Sequence, residues 1–253
     1  KIALLVAKWQ AIGFIHGVMN TDNMLVCGET VDYGPCAFMD EFDPRKVLSS
    51  IDSAGRYAYQ NQPGIAQWNL MTFAQALLPL LADAQDEAID LAKNILEGFP
   101  QEYADQYNSL MARKIGLSSD NPSAADLVTS LLQILQSQNL DYTLAFRSLM
   151  AVMAGKPSAT DNSKWQAWTQ DWLQQFNNST DRANAGSIMN TLNPVCIPRN
   201  HLVEAVIEEA QSKANFEPFD QLLAVLQQPY DPKWLDTTYA RGPEPGQAVL
   251  QTR

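Results

Sequence analysis

From Ile65 almost to the end of the chain, apolar residues recur three and four positions apart, the spacing of amphipathic helices, and this pattern decides the fold class. Ile65, Ala66, Leu70, Leu77, Leu78, Leu80 and Leu81 open the run. Further helices are expected over about 85–98, 100–115, 122–137, 139–154, 161–176, 197–212 and 216–228. Asp120-Asn121-Pro122-Ser123 and Asp161-Asn162-Ser163 carry the side chains that cap helix starts, and Gly155-Lys156-Pro157 reads as a stop. A first helix precedes all of these, because Ile2, Leu5, Val6, Trp9, Ile12, Gly13 and His16 share one helical face. Strand signals are confined to one short hairpin, residues 24–31, with Gly28-Glu29 as its turn. Residues 35–63, punctuated by Pro35, Pro44, Gly55 and Pro63, read as a long ordered loop, a class that is usually functional. From Pro229, with Pro232, Pro243 and Pro245, the chain reads as irregular and frayed. The expected fold is mostly α with a single hairpin.

Charge narrows the function classes. Seventeen basic against 28 acidic residues leave a net −11, which argues against nucleic acid or an anionic membrane surface as partner. No apolar run reaches the roughly 18–20 residues of a membrane span. Cys27, Cys36 and Cys196 are odd in number and widely spaced, fitting neither a disulfide framework nor a zinc site, so a reducing, cytoplasmic home is expected. Residue 1 is Lys and the chain opens inside a helical pattern, which reads as the C-terminal part of something longer.

The chemistry concentrates in His16-Gly17-Val18-Met19-Asn20-Thr21-Asp22-Asn23 and, after the hairpin, Asp32-Tyr33-Gly34. Asn23 and Asp32 stand at the two ends of the hairpin, so its pairing draws them together. One amide and one carboxylate suit a hard cation such as Mg²⁺ that completes its shell with phosphate oxygens. Asp22 is placed to accept a proton from an attacking hydroxyl. Each has a plainer reading, since Asn20 and Asp22 are also ordinary turn residues. His16 reads as a buried organiser. A calcium loop is excluded, because Cys27 stands where that loop would need Gly. Trp68, Trp165, Trp168 and Trp172 are expected in the core, Cys27 and Cys36 as small hydrophobes, and Arg199 and Asn200 as residues that tie down a helix. Arg56 and Tyr57 lie in the long loop. There the arginine meets either a phosphate or substrate chain, or else an acid such as Asp52.

The spacing resembles the protein-kinase catalytic loop, His-Arg-Asp-Leu-x-x-x-Asn followed by Asp-Phe-Gly, with Asn23 seven positions after His16 and Asp32-Tyr33-Gly34 in the second place. Val18 stands where kinases carry their catalytic Asp. The full pattern closely resembles the SelO family of pseudokinases. The likeness continues through Phe38-Met39-Asp40, Gly55-Arg56-Tyr57, Asn61-Gln62-Pro63, Ala66-Gln67-Trp68-Asn69-Leu70, Asn193-Pro194 and Pro198-Arg199-Asn200. That resemblance implies a kinase-like C-terminal lobe over residues 1–80, a helical extension over 81–230 and an irregular tail over 231–253. It implies protein adenylylation, with AMP passing from ATP to Ser, Thr or Tyr hydroxyls of protein substrates, Asp22 as general base, and Asn23 and Asp32 as ligands of Mg²⁺ or Mn²⁺. The family's nucleotide clamp would precede Lys1, so these residues alone are expected to be inactive. The family's regulatory cysteines have no counterpart here, with Leu48-Ser49-Ser50 and residues 247–253 in their places. Kinase-like γ-phosphoryl transfer and a non-catalytic scaffold are the alternatives.

Overall fold

The computed structural model describes residues 1–156 and 162–244, so Pro157, Asp161, Pro245 and residues 247–253 lie outside the described residues. The chain divides into two compact units. The first comprises Lys1–Cys36 and Pro44–Asn108, and it holds α1 (Ile2–Ile12), β1 (Phe14–Ile15), α2 (Gln62–Leu81), α3 (Gln85–Leu96) and the start of α4 (Phe99–Lys114). The second comprises Ala37–Asp43 and the described residues from Ser109 to Glu244. It holds β2 (Ala37–Phe38), the end of α4, α5 (Ala124–Ser137), α6 (Tyr142–Met153), α7 (Ser163–Leu173), α8 (Ser179–Leu192), α9 (Asn200–Lys213) and α10 (Glu217–Leu226). The mostly helical class read from periodicity is the class observed.

Local chemistry moves several boundaries. α1 stops at Ile12, short of His16, because Gly13 adopts φ 73° and turns its N–H back to the Gln10 and Trp9 carbonyls. α2 begins at Gln62, earlier than the pattern suggests, because Pro63 sits in the first turn, where a missing N–H is harmless. At α5 the expected cap makes a turn instead, Asn121 Oδ1 accepting from the Ser123 N–H at 2.8 Å while Ser123 itself makes no capping bond. α7 is capped by Asn162, whose side chain accepts from the Lys164 and Trp165 N–H groups. α8 has no counterpart in the sequence reading. It buries only Ala185 and Met189, too thin a stripe to register as periodicity, although Asn178 caps it through the Asp181 N–H.

In the second unit, α7 buries Trp165, Trp168 and Trp172 as expected, the last two stacked at 5.7 Å. Their indole N–H groups are carried inward to backbone carbonyls, Trp168 to Leu127 and Trp172 to Ile115. Residues 230–244 are irregular but docked rather than frayed. Trp234 and Tyr239 pack against Val195, Cys196, Val225 and Ala240, and the Pro229 carbonyl accepts from the Val195 and Cys196 N–H groups.

Lys114 is the exceptional residue of this core. Its ammonium is buried, donates to Asn193 Oδ1 at 2.8 Å and lies 4.2 Å from the Phe146 ring centroid. Asn193 returns a bond to the Lys114 carbonyl at 2.8 Å. Burial lowers the pKa of this lysine to about 7. Because the unfolded chain holds that proton up to about pH 10.4, unfolding takes up a proton between these values, and stability should rise with pH across that window. Lys114→Met should flatten the rise, worth on the order of a few kcal/mol. Urea denaturation of both proteins at pH 6, 8 and 10 checks it. Equal slopes would show that the amine is not desolvated.

Candidate functional site

All the residues singled out for chemistry fall in the first unit. After α1 the chain crosses β1 and reaches Gly17 at φ +84°, where an added Cβ would lie 2.7 Å from the Pro35 carbonyl oxygen. Only glycine allows the loop this close to the chain beyond Asp32. The next residues form a 3₁₀ turn, Thr21–Asn23, with Asp22 exposed and Asn23 buried. A hairpin follows, closed by an antiparallel bridge between Met24 and Thr30 and by the Val31 N–H donating to the Asn23 carbonyl. Its tight turn is centred on Val26 and Cys27, with the Gly28 N–H donating to the Leu25 carbonyl, rather than on Gly28-Glu29.

The hairpin brings its two ends together. Asn23 Nδ2 donates to the Val18 carbonyl at 2.9 Å and to Asp32 Oδ2 at 3.3 Å. Both bonds orient the amide, leaving its oxygen as the atom a cation would take. Asp32 is exposed and sits at φ 60°, a left-handed conformation that non-glycine residues seldom adopt and that Asp tolerates better than most. Among the described residues no group of three or more His, Cys, Asp or Glu side chains could hold a metal ion. The donor set is therefore one amide oxygen and the Asp32 carboxylate, with Asp22 on the adjoining turn outside it, which fits a cation that relies on water and phosphate for the rest of its shell.

His16 is the organiser, not a reacting group. It is fully buried, and its Nδ1 accepts from the Val18 N–H while Nε2 lies 2.9 Å from Thr30 Oγ1 and 3.2 Å from the Val31 carbonyl. Nε2 therefore carries the proton, and the Thr30 hydroxyl passes its own to the Asn23 carbonyl. Burial lowers the His16 pKa, and Tyr33 stacks on its ring at 5.8 Å. One neutral imidazole thus ties together the chain at Val18, at Asn23 and beside Asp32. Cys27 is exposed rather than packed as a hydrophobe, Cys36 half-buried and Cys196 buried, all three free.

A family model described as Protein adenylyltransferase SelO matches residues 1–227. The chain belongs to the SelO family. Curated relatives named Protein nucleotidyltransferase YdiU share 43% identity over 258 residues in Bradyrhizobium diazoefficiens and 45% over 257 residues in Rhodopseudomonas palustris. Each alignment covers 99% of this chain but 52% of the relative, so the chain spans about half the length of the curated relatives it matches.

Three of the SelO motif blocks after the hairpin, those holding Tyr57, Gln62 and Asn69, prove to be struts of this loop. Gln62 Oε1 accepts from the His16 N–H, and its Nε2 donates to the Phe14 carbonyl, each at 2.9 Å. Asn69 Nδ2 donates to the Met19 carbonyl at 3.1 Å. The Tyr57 hydroxyl donates to Asn20 Oδ1 at 2.5 Å. The motif strings mark these residues, but their partners lie 37 to 50 positions away and are invisible to local pattern. Trp68 is 47% exposed rather than core, and of the two readings of Arg56 the ion pair is not found, since among the described residues it pairs neither with Asp52 nor with another acid. No helix among the described residues is long and apolar enough to cross a membrane.

Proposed function

We propose that the full-length protein transfers AMP from ATP to Ser, Thr or Tyr hydroxyls of protein substrates, and that this chain supplies its base and metal-holding residues. The observation that carries the reading is the Asn23–Asp32 pair, 3.3 Å apart, with Asp22 exposed on the adjoining turn. Membership of the SelO family supports it. Asn23 and Asp32 would hold Mg²⁺ or Mn²⁺, which supplies neutralisation of phosphate charge. Asp22 takes the proton of the acceptor hydroxyl as its oxygen bonds to the α-phosphorus. The bond to the β-phosphate oxygen breaks, and pyrophosphate leaves with its electron pair. Buried Val18, in the place of the kinase Asp, offers no competing base. In this reading residues 1–80 are the core of a kinase-like C-terminal lobe, 81–230 its helical extension and 231–253 its tail. The residues described here are inactive without the chain that holds the nucleotide.

Two labels separate this chemistry from its rivals. Incubated with the full-length protein, ATP labelled at the α-phosphate should leave its label on substrate protein and ATP labelled at the γ-phosphate should not. Asp32→Ala should reduce incorporation to background with the circular dichroism spectrum unchanged, because the lost carboxylate is exposed and the Asn23 amide keeps its bond to the Val18 carbonyl. Retention of the γ label would establish kinase chemistry instead, and full incorporation by Asp32→Ala would remove the metal role.

A further inference from the structure

Arg56 is exposed, and its guanidinium carbon lies 4.9 Å from the Trp68 ring centroid and 5.7 Å from that of Tyr57. Asp52, the acid that was one of its two candidate partners, is engaged elsewhere. It is buried, and its two carboxylate oxygens accept from the backbone N–H groups of Arg56 and Tyr57 at 2.8 and 2.7 Å. The main chain is thereby fixed while the guanidinium rests on aromatic faces, an arrangement that leaves its in-plane N–H donors for another group. Half-exposed Trp68, unusual for so large a side chain, is explained as the platform for this cation.

The second ring against the cation, Tyr57, has its hydroxyl bonded to Asn20, the residue that opens the turn carrying Asp22. Two sides of that turn are thus differentiated. Its Asn23 end meets Asp32, the place for a metal and phosphates. Its Asn20 end meets Tyr57, and Arg56 rests against the ring of that tyrosine. Asp22, which must face the acceptor hydroxyl, lies between them. A planar guanidinium on the acceptor side matches a carboxylate in two-pronged fashion, and in a chain of net charge −11 it stands against the prevailing sign.

From this geometry we infer that Arg56 is a specificity-determining residue that binds an acidic side chain of the substrate protein next to the modified hydroxyl. The inference rests on the adenylylation reading and deepens it. The test uses the full-length protein with fluorescent peptides bearing one Ser flanked by Asp and Glu, by Ala, or by Lys. Binding is read by anisotropy and AMP transfer by the α label. Acidic flanks should lower KM about three- to tenfold relative to Ala, roughly the range for an exposed charge-assisted contact. Arg56→Glu should reverse the order to favour Lys flanks while leaving kcat and the KM for ATP within about twofold, and Arg56→Lys should keep part of the acidic preference. A reversal of charge preference is not the signature of a merely structural arginine. An unchanged acidic preference in Arg56→Glu would overturn the inference, as would a raised KM for ATP with peptide selectivity intact, which would assign the arginine to phosphate. Because anisotropy reports peptide selection without nucleotide, wild-type protein that selects acidic peptides but transfers no AMP would count against the adenylylation reading alone.

Discussion

Asp22→Asn in the full-length protein should lower the rate of AMP transfer by about 10²- to 10⁴-fold, the usual contribution of a positioned general base. The substitution is nearly isosteric and falls on an exposed residue of the Thr21–Asn23 turn, so neither packing nor the hairpin has reason to change. The amide retains polarity but cannot take a proton. Nucleotide and metal affinity should therefore stay close to wild type, and the deficit should appear in kcat. Single-turnover transfer of α-labelled AMP, alongside calorimetric titration with a non-hydrolysable analogue, separates the two quantities. A variant that transfers AMP at the wild-type rate would show that the hydroxyl proton leaves by another route, and it would return Asp22 to the role of an ordinary turn residue.

Arg199→Met should destabilise the second unit by roughly 3–5 kcal/mol, the range for removing one partner of a buried ion pair. Arg199 is 1% exposed, and its guanidinium joins Asp40, just after β2, to Asp141, the residue that caps α6. Methionine fills the space but leaves two carboxylates facing each other without a cation. Burial already pushes the Asp40 carboxyl above its ordinary value against the pull of Arg199. Without that pull the folded form binds a proton at a pH where the unfolded chain does not, so the deficit should shrink as pH falls toward about 4. Urea midpoints at pH 7.5 and 5 measure both effects. A loss under about 1 kcal/mol would mean that the two carboxylates find relief without the arginine, by taking up a proton or by reaching solvent, and that Arg199 does not hold the second unit together.

The helices were legible because burying one face of a helix forces a three-and-four repeat on the sequence itself. The Asn23–Asp32 approach was legible for a related reason: a hairpin places its two ends side by side whatever surrounds it. What escaped did so for separate reasons. Arg199 meets Asp40 across 159 positions, and no local pattern encodes that distance. Asp52 invites a salt bridge to Arg56 on paper, yet two backbone N–H groups within reach satisfy it first. α8 hides because a helix that buries two side chains leaves almost no periodic trace.

The left-handed backbone at Asp32 also bears on how such a protein drifts over generations. At φ 60° the position admits Asp, Asn and Gly with little strain and resists β-branched residues. The replacement the backbone tolerates most easily, Asp32→Asn, is a single-base change in the codon, and it removes the charge on which the proposed metal site depends. A lineage can therefore lose the chemistry in one step while keeping the fold, the hairpin and the buried His16 network. Homologues that differ here by Asp or Asn would be indistinguishable in stability and opposite in activity, and this one residue is where an inactive descendant should be sought.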